Sequence, residues 1–216
     1  MKIIVLTGLP ASGKTVHAKI VGTKLGIPNV ETGTFVFQAV RKRGLDITPQ
    51  NIVMVSKELK TQSDSYFTEQ AVEYIEKVYS TKPAVFLSGV RAESEVEFLR
   101  RRFGEKNITI IGFHASRSTR FARMFNPDRI ESTGEVSDKR AEDEALRDFT
   151  NFVARDKKEL VFGVGYLLAS SDYLMNLEDR RWPFHIMART MIEFEQVVRA
   201  IVTGMEIRPH SPRDRA

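Results

Sequence analysis

The eight residues Gly8-Leu9-Pro10-Ala11-Ser12-Gly13-Lys14-Thr15 match the phosphate-binding pattern G-x-x-x-x-G-K-[ST]. Gly8 and Gly13 allow backbone turns that a Cβ atom would block, so that successive N–H groups point inward and form a nest for an anion. This spacing lets Lys14 reach the β- and γ-phosphates of a nucleoside triphosphate and lets Thr15 offer its hydroxyl to Mg²⁺. The sequence therefore predicts a site made by all eight residues for a nucleoside triphosphate, ATP or GTP, bound with Mg²⁺.

The residues on either side of this loop favour a functional site over a chance match in a glycine turn. Ile3 to Leu6 is an apolar run without alternation, which is typical of a strand buried on both faces of a parallel sheet. From Lys14 to Leu25 apolar residues recur at helical spacing, and Gly26 stands where a helix would end. Strand, glycine-rich loop and helix in this order open an α/β unit.

Strands and helices alternate along the rest of the chain. Three further apolar runs predict buried strands, at Ala84 to Leu87, Ile108 to Phe113 and Tyr173 to Leu177. Helical patterns are found at Asn51 to Leu59, Tyr66 to Tyr79, Glu93 to Phe103, Asp138 to Leu160 and Phe184 to Val202. This order predicts an α/β fold with a parallel sheet and helices on both of its faces.

Two segments differ from this pattern and set the expected domain boundaries. Asn126 to Glu142 is polar and has no core face, which predicts a lid at about 124–145. Residues 206–216 contain two prolines and scattered charge, which predicts a flexible tail after a single domain of residues 1–205.

Composition and charge restrict the function further. The chain has 216 residues, of which 42% are hydrophobic, and this suits one globular domain. It has no cysteine, which excludes disulfides, thiolate metal sites and a cysteine nucleophile. No apolar run is long enough for a signal peptide or a membrane span, so a soluble, cytoplasmic protein without a membrane partner is expected. The net charge of +5 suits phosphate-bearing ligands and makes nucleic acid an unlikely but not excluded partner.

Short segments beyond the loop, in matching order and spacing, carry a family resemblance that extends to about Asn176. They are Arg41 to Leu45, Ser88 to Phe98, His114 to Ser116 with Arg120 and Phe121, Arg155 to Leu160, Gly163 to Gly165 and Ser171 to Asn176. On these segments the chain resembles the nucleoside monophosphate kinase superfamily. It is most similar to an archaeal family of dephospho-CoA-kinase-like and adenylate-kinase-like P-loop proteins, and it looks like a divergent member.

The resemblance implies a P-loop NTPase fold, with a five-stranded parallel sheet, a small lid and an acceptor-binding arm at about 32–80. It also implies a reaction, the transfer of the γ-phosphoryl group of ATP to a small nucleotide-like acceptor. Catalysis in such kinases is mostly positioning and charge neutralisation by lysine, Mg²⁺ and arginines.

The same resemblance implies roles for individual side chains. Arg120 and, less firmly, Arg123 would lie at the hinge of the lid, and Arg155 would close on the transferred phosphate. Arg120, Arg155 and the loop lysine would then form the catalytic set. Arg91 would meet the acceptor, and Asn176 would lie near the adenine ring. The alternative for each arginine is an ordinary salt-bridged position, because the chain has 33 lysines and arginines.

The chain departs from the family pattern on the acceptor side. Ser88 stands where relatives have the aspartate that holds the Mg²⁺ water shell, so a hydroxyl is predicted on the metal side without its charge. Whether Glu93 or Glu95 on the next helix replaces that charge is left open. In the arm, Thr34 stands where relatives have an aspartate, and Phe37 stands where they have an arginine that clamps the acceptor's phosphate. An aromatic ring cannot make the charged hydrogen bonds of that arginine to phosphate. Packing in the core is favoured for Phe37 over stacking on a ligand ring.

Three functions are compatible with this sequence. The first is a small-molecule kinase of weak or altered activity. The second is a non-catalytic, regulatory nucleotide-binding protein, and the third is a nucleic-acid-linked NTPase. The triphosphate loop is common to all three.

Overall fold

The computed structural model describes residues 1–125, 146–178 and 183–205, without the side chains of Pro49 and residues 183–188. The predicted tail lies outside the described residues. So does the predicted lid, apart from its first two residues, 124 and 125.

Strands and helices alternate through most of the described chain. The strands are β1 (Lys2–Thr7), β2 (Asn29–Glu31), β3 (Ala84–Ser88), β4 (Ile108–His114) and β5 (Tyr173–Asn176). The helices are α1 (Lys14–Leu25), α2 (Thr32–Lys42), α3 (Pro49–Lys60), α4 (Tyr66–Val78), α5 (Glu93–Phe103), α6 (Arg117–Ala122), α7 (Phe149–Val161), α8 (Val164–Ala169) and α9 (Pro183–Thr203).

The five strands form one parallel sheet in the order β2-β3-β1-β4-β5. The predicted α/β fold, a five-stranded parallel sheet with helices on both faces, is confirmed. β1 lies at the centre, and its C-terminal end leads into the loop of residues 8–15. In an open parallel sheet, ligands bind beyond the carboxyl ends of the strands, so the fold places the loop where a nucleotide site is expected.

Helices cover both faces of the sheet, which explains why the first strand is apolar without alternation. Ile4 and Leu6 pack on one face with Phe194 of α9 and with residues of α1. Ile3 and Val5 pack on the other face with residues of α4 and α5. All four β1 residues are fully buried, as expected for a central strand of a doubly covered sheet.

Helices α2, α3 and α4 have a small hydrophobic cluster of their own, made by Val36, Val40, Val55, Leu59 and Phe67. This cluster lies beyond β2 and β3, on the side of the sheet where the family resemblance predicts the acceptor arm. Packing inside the group supports α2, which begins directly after the end of β2.

Two sequence predictions differ from the structure. The second strand was not identified, because Asn29–Glu31 has only one buried residue, Val30, and is too short to show periodicity. The helix predicted from Asp138 begins at Phe149 within the described residues, because Asp148 caps it by accepting a hydrogen bond from the Asn151 backbone.

No helix among the described residues is long and apolar enough to cross a membrane.

Candidate nucleotide-binding site

The loop between β1 and α1 has a backbone conformation that its sequence makes possible. Gly8 has a φ of 147°, and a Cβ atom there would lie 2.4 Å from the carbonyl oxygen of Phe113. Ala11 has a φ of 60° and is the one described non-glycine residue with a positive φ. Strained backbone of this kind costs on the order of 1–3 kcal/mol and is concentrated at ligand-binding sites. The loop is therefore held in a defined shape by its surroundings.

Lys14 lies over this loop. Its Nζ donates hydrogen bonds to the carbonyl oxygens of Gly8, at 2.6 Å, and Leu9, at 3.2 Å. It also lies 3.4 Å from Oγ of Ser12, which is buried. The lysine is the first residue of α1, so its ammonium group and the positive end of the helix dipole act on the same small volume.

Several charged groups act on Lys14. Burial is the main cause that lowers the pKa of its ammonium group; the carboxylates of Glu159 and Glu31 raise the pKa, and the positive charges of Arg91 and Arg120 lower it. Together these groups leave the pKa of Lys14 at about 8. An anionic ligand beside this desolvated lysine would favour its charged form.

Arg120 supports the loop from outside. Its guanidinium donates to the carbonyl oxygen of Pro10 at 3.0 Å and to that of Ala115 at 3.0 Å. The same group makes a bidentate pair with Asp156, at 2.8 and 2.6 Å, and both side chains are buried. Arg117 reaches the same carboxylate at 3.0 Å. Arg120 is thus tied to the loop backbone and to α7.

Arg123 makes a second set of bonds to the loop. Its Nη1 donates to the carbonyl oxygens of Ala11, at 3.2 Å, and Ser12, at 3.3 Å. Its Nη2 donates to the carbonyl oxygen of Leu177 at 2.6 Å. The two arginines that the family resemblance places near the lid hinge therefore both bind outward-facing carbonyls of the loop. The sequence could not predict these partners, which lie 54 to 112 residues away for Arg123.

Arg91 and Arg155 share one carboxylate. The Nε of Arg91 lies 2.7 Å from Glu159, and the Nε of Arg155 lies 2.9 Å from the other oxygen of the same group. The Glu159 side chain is 7% exposed, whereas the two arginines keep 32% and 28% of their side-chain surface. Helix α7 thus brings together the three predicted arginines, because Asp156 and Glu159 are one turn apart on it.

Asn176 ends β5, beside His114 of β4. Its Oδ1 accepts a hydrogen bond from the backbone N–H of Glu178 at 3.0 Å, and the residue is exposed. The next residue, Leu177, is buried and borders the loop, since a Cβ atom on Gly13 would lie 3.0 Å from it. The chain after β5 therefore contacts the loop, although the sequence analysis gave Leu177 no role.

Ser88 ends β3, next to β1, and its Oγ donates to Oδ1 of Asn29 at 2.9 Å. The nearby carboxylates considered in the sequence are engaged elsewhere. Glu95 is buried and accepts bonds from two backbone N–H groups at the start of α5 and from Thr68. Glu93 accepts a bond from Tyr166. Both carboxylates therefore have partners other than Ser88.

The residues present fit a magnesium ion that is carried mainly by a nucleotide. No group of three or more His, Cys, Asp or Glu side chains within the described ranges could hold a metal alone. Mg²⁺ usually keeps several waters and binds through phosphates with one or two protein oxygens. The hydroxyls of Thr15 and Ser88, at the start of α1 and the end of β3, are oxygen donors of this kind.

His17 is a packed residue of α1. It is fully buried, with Nδ1 3.0 Å from the carbonyl oxygen of Gly13 and Nε2 3.1 Å from Oγ1 of Thr190. A carbonyl only accepts, so Nδ1 carries the proton and Nε2 accepts from the threonine. Burial is the main cause that lowers the pKa of His17, which favours the neutral ring. The histidine therefore links the loop to α9.

Comparison with known proteins places this chain in a family. The family described as an AAA domain matches residues 7–148. A UPF0200 protein of Thermococcus sibiricus is 33% identical over 174 residues, which cover 80% of this chain and 84% of that protein. A UPF0200 protein of Thermococcus kodakarensis is 30% identical over 194 residues, 88% of this chain and 96% of that protein.

A solved structure agrees with the fold. A gluconokinase from Sinorhizobium meliloti superposes with a TM-score of 0.51 at 14% identity, covering 95% of this chain and 98% of that one. At this identity the likeness concerns the fold alone. The chain therefore belongs to the UPF0200 family, and its residues 7–148 match the AAA family within a P-loop kinase-like fold.

Proposed function

We propose that this protein binds ATP with Mg²⁺ in the loop of residues 8–15 and transfers the γ-phosphoryl group to a small nucleotide-like acceptor. The observation that carries the proposal is the strained loop with Lys14 over it, at the carboxyl end of the central strand. Backbone N–H groups, the start of α1 and the lysine would neutralise the phosphates together. The finer relationship, to dephospho-CoA kinases and adenylate kinases, is part of this proposal.

The metal would be held by the hydroxyls of Thr15 and Ser88 and by the phosphates. When bound, Mg²⁺ supplies charge neutralisation and fixes the orientation of the β- and γ-phosphates. The protein's part is to orient the triphosphate and to keep the hydroxyls within reach of the ion.

We assign different roles to the three arginines. Arg120 acts as a positioning residue, because its guanidinium is taken up by Asp156 and by loop and neighbouring carbonyls. Arg91 and Arg155 keep exposed surface and lie together at Glu159, so they are proposed to meet the acceptor and the transferred phosphoryl group, respectively. Asn176 is proposed to lie near the adenine ring.

The acceptor would bind between the strand ends and α2, in an arm of about residues 32–80, under a lid of about 124–145. Here Thr34 replaces the family aspartate, and Phe37 is half-buried, next to the fully buried positions Val36 and Val40. The acceptor therefore loses one charged clamp. Loss of one preorganised charged group lowers rates by roughly 10² to 10³, so slow transfer is expected.

A regulatory nucleotide-binding protein is the second candidate, favoured by these same substitutions on the acceptor side. The nucleic-acid-linked alternative is less supported. The basic run Arg100 to Arg102 lies in the last turn of α5, and its members pair with Glu105, Glu97 and Glu76. These arginines complement the helix dipole and nearby acids.

The test is single-turnover transfer from labelled ATP with Mg²⁺ to dephospho-CoA, AMP and other monophosphates. The wild-type protein is compared with Lys14→Ala and with Lys24→Ala, whose lysine lies on the same helix and pairs with Glu195 at the surface. We expect slow transfer that is lost in Lys14→Ala and kept in Lys24→Ala. ATP binding without transfer to any acceptor would favour the regulatory function, and equal activity of both variants would contradict the proposed site.

A further inference from the structure

The carboxylate missing at Ser88 raises the question of which acid faces the metal side of the site. Glu93 and Glu95 are used by Tyr166 and by the start of α5. Asp156 is paired with Arg120, and Glu159 is paired with Arg91 and Arg155. A further acid lies at the end of β2, the strand on the far side of β3.

Glu31 ends that strand, in register with the serine. Leu6 of β1 pairs with Ser88 of β3, and Ser88 pairs with Glu31 of β2, so the three residues form one row across the sheet. Side chains in one row of a sheet point to the same face, and neighbouring strands lie about 4.8 Å apart. Glu31 has an extended backbone, with a φ of −107° and a ψ of 122°, so this rule applies to it.

The row faces the side of the sheet on which α1 begins. Leu6 packs with Ala18 and Val21 of α1 in one hydrophobic cluster. The hydrogen bond between Ser88 and Asn29, two residues before Glu31, joins the same face of β2 and β3. Glu31 therefore shares a face with the helix whose first residues are Lys14 and Thr15.

The charge and the burial of Glu31 also favour a role toward the site. Burial is the main cause that lowers the pKa of Lys14, and the carboxylates of Glu159 and Glu31 both raise it, so Glu31 is one of two acids whose charge acts on the loop lysine. The residue is half-buried rather than extended into solvent.

We propose that Glu31 supplies, from β2, the carboxylate that the family carries at position 88, and that it holds the water shell of the Mg²⁺ bound with the triphosphate. Glutamate suits the position on β2, because its side chain is one methylene longer than that of aspartate. The end of β2 lies one strand further from the loop than the end of β3. Ser88 then lies between the carboxylate and β1 as a neutral hydrogen-bonding group. This inference rests on the ATP and Mg²⁺ site of the proposed function.

The test measures metal binding without turnover. Binding of Mn²⁺ to the protein–ATP complex is followed by the electron paramagnetic resonance signal of free Mn²⁺, and ATP binding is measured with and without Mg²⁺. For Glu31→Gln we expect Mn²⁺ affinity to fall by roughly ten- to a hundredfold, as for loss of an outer-sphere group. ATP binding without metal should be kept or become tighter, since a negative charge has been removed.

The double variant Glu31→Gln with Ser88→Asp returns the carboxylate to β3 and should recover most of the Mn²⁺ affinity. Glu58→Gln is the control, because Glu58 is an exposed acid on α3 that pairs with Arg43. Unchanged Mn²⁺ affinity in Glu31→Gln would overturn the inference while leaving the proposed function intact. So would loss of metal-free ATP binding, which would indicate a structural role. Absence of ATP binding by the wild-type protein would overturn both.

Discussion

Two regions at the carboxyl ends of the strands, the loop of residues 8–15 and the proposed acceptor side, differ in how their polar groups are held. On the nucleotide side, the loop of residues 8–15 is held by Arg120, Arg123 and His17, whose nitrogens reach its carbonyl oxygens. On the proposed acceptor side, Ser88, Thr34 and Phe37 stand where the family resemblance implies charged groups. The first region keeps a conformation that is costly to maintain, and the second lacks the charges that the resemblance implies for a kinase.

Because of this difference, triphosphate binding and acceptor chemistry are expected to depend on different residues. A loop with strained φ values persists only where its neighbours determine its shape, and such preorganisation serves phosphate binding. The positions at which the resemblance implies charges for an acceptor lie on other elements, α2 and the end of β3, so substitutions there do not require any change in the loop. Triphosphate binding is therefore expected to be robust and acceptor chemistry altered. The predictions below test each half, beginning with the largest effect.

The largest effect is expected for Asp156→Ala on α7. This carboxylate is fully buried and is the bidentate partner of Arg120, which is also buried. Its removal leaves a buried guanidinium without compensation, which costs about 3–5 kcal/mol of unfolding free energy. Urea unfolding measures the loss. Glu76→Ala is the control, because Glu76 pairs with Arg102 at the surface, where a pair contributes little. Similar losses in both variants would contradict the role given to α7.

A pair of glycine substitutions compares the two regions. Gly8→Ala places a Cβ atom 2.4 Å from a backbone carbonyl at a positive φ, and should lower the unfolding free energy by about 2–3 kcal/mol and weaken ATP binding. Gly33→Ala in α2 has open space, and should be neutral or slightly stabilising, by up to about 1 kcal/mol. The pair is measured by urea unfolding and ATP titration. Equal tolerance at both positions would show that the loop is not held as described.

The pH dependence of ATP binding should follow Lys14. Because its pKa is about 8 in the free protein, the lysine loses its proton as the pH rises through 8, and ATP requires the charged form. Affinity should then fall by up to about tenfold per pH unit above pH 8, since one pKa unit is about 1.4 kcal/mol. Titration calorimetry at pH 8 in two buffers should detect proton uptake on binding. Constant affinity from pH 7 to well above 8 would contradict this assignment.

The smallest effect concerns the stability contributed by His17. Its pKa is lowered in the folded protein, mainly by burial, so below about pH 6.5 the unfolded chain binds more protons. The contribution of the neutral His17 ring to the unfolding free energy is fully present above the ordinary histidine pKa. It is lost as the pH falls through the lowered pKa of the folded protein. His17→Gln should flatten the dependence of unfolding free energy on pH in this range. His114→Gln, at an exposed histidine, is the control variant. A profile unaffected by His17→Gln would contradict the buried neutral ring.

Sequence patterns predicted those parts of the molecule that depend on local order. The sequence predicted the central strand because both of its faces are buried and both therefore carry apolar residues. It predicted the loop because glycines at these positions allow its backbone conformation. β2 was not visible, because Val30 is its one buried residue. The register that places Glu31 beside Ser88 depends on that strand, so the proposed replacement carboxylate could not be found from the sequence.

Pairings between distant side chains were the other part that the sequence could not supply. Arg120 was predicted to act at the phosphate, yet its partners are Asp156, 36 residues away, and the carbonyl of Pro10, 110 residues away. No local pattern marks such a pair, because each arginine in a basic chain looks alike. The structure distinguishes Arg120, which is buried, from Arg91 and Arg155, which keep exposed surface.

Calorimetric titration of ATP with Mg²⁺ and no acceptor tests whether residues 8–15 form a working triphosphate site. We expect one ATP per chain for the wild-type protein and for Lys24→Ala. Loss of the charged hydrogen bonds of Lys14 in Lys14→Ala should weaken binding by at least about tenfold, since such bonds contribute about 1.5–3 kcal/mol. Equal ATP affinity in the wild-type protein and Lys14→Ala, or no binding by either, would contradict the account.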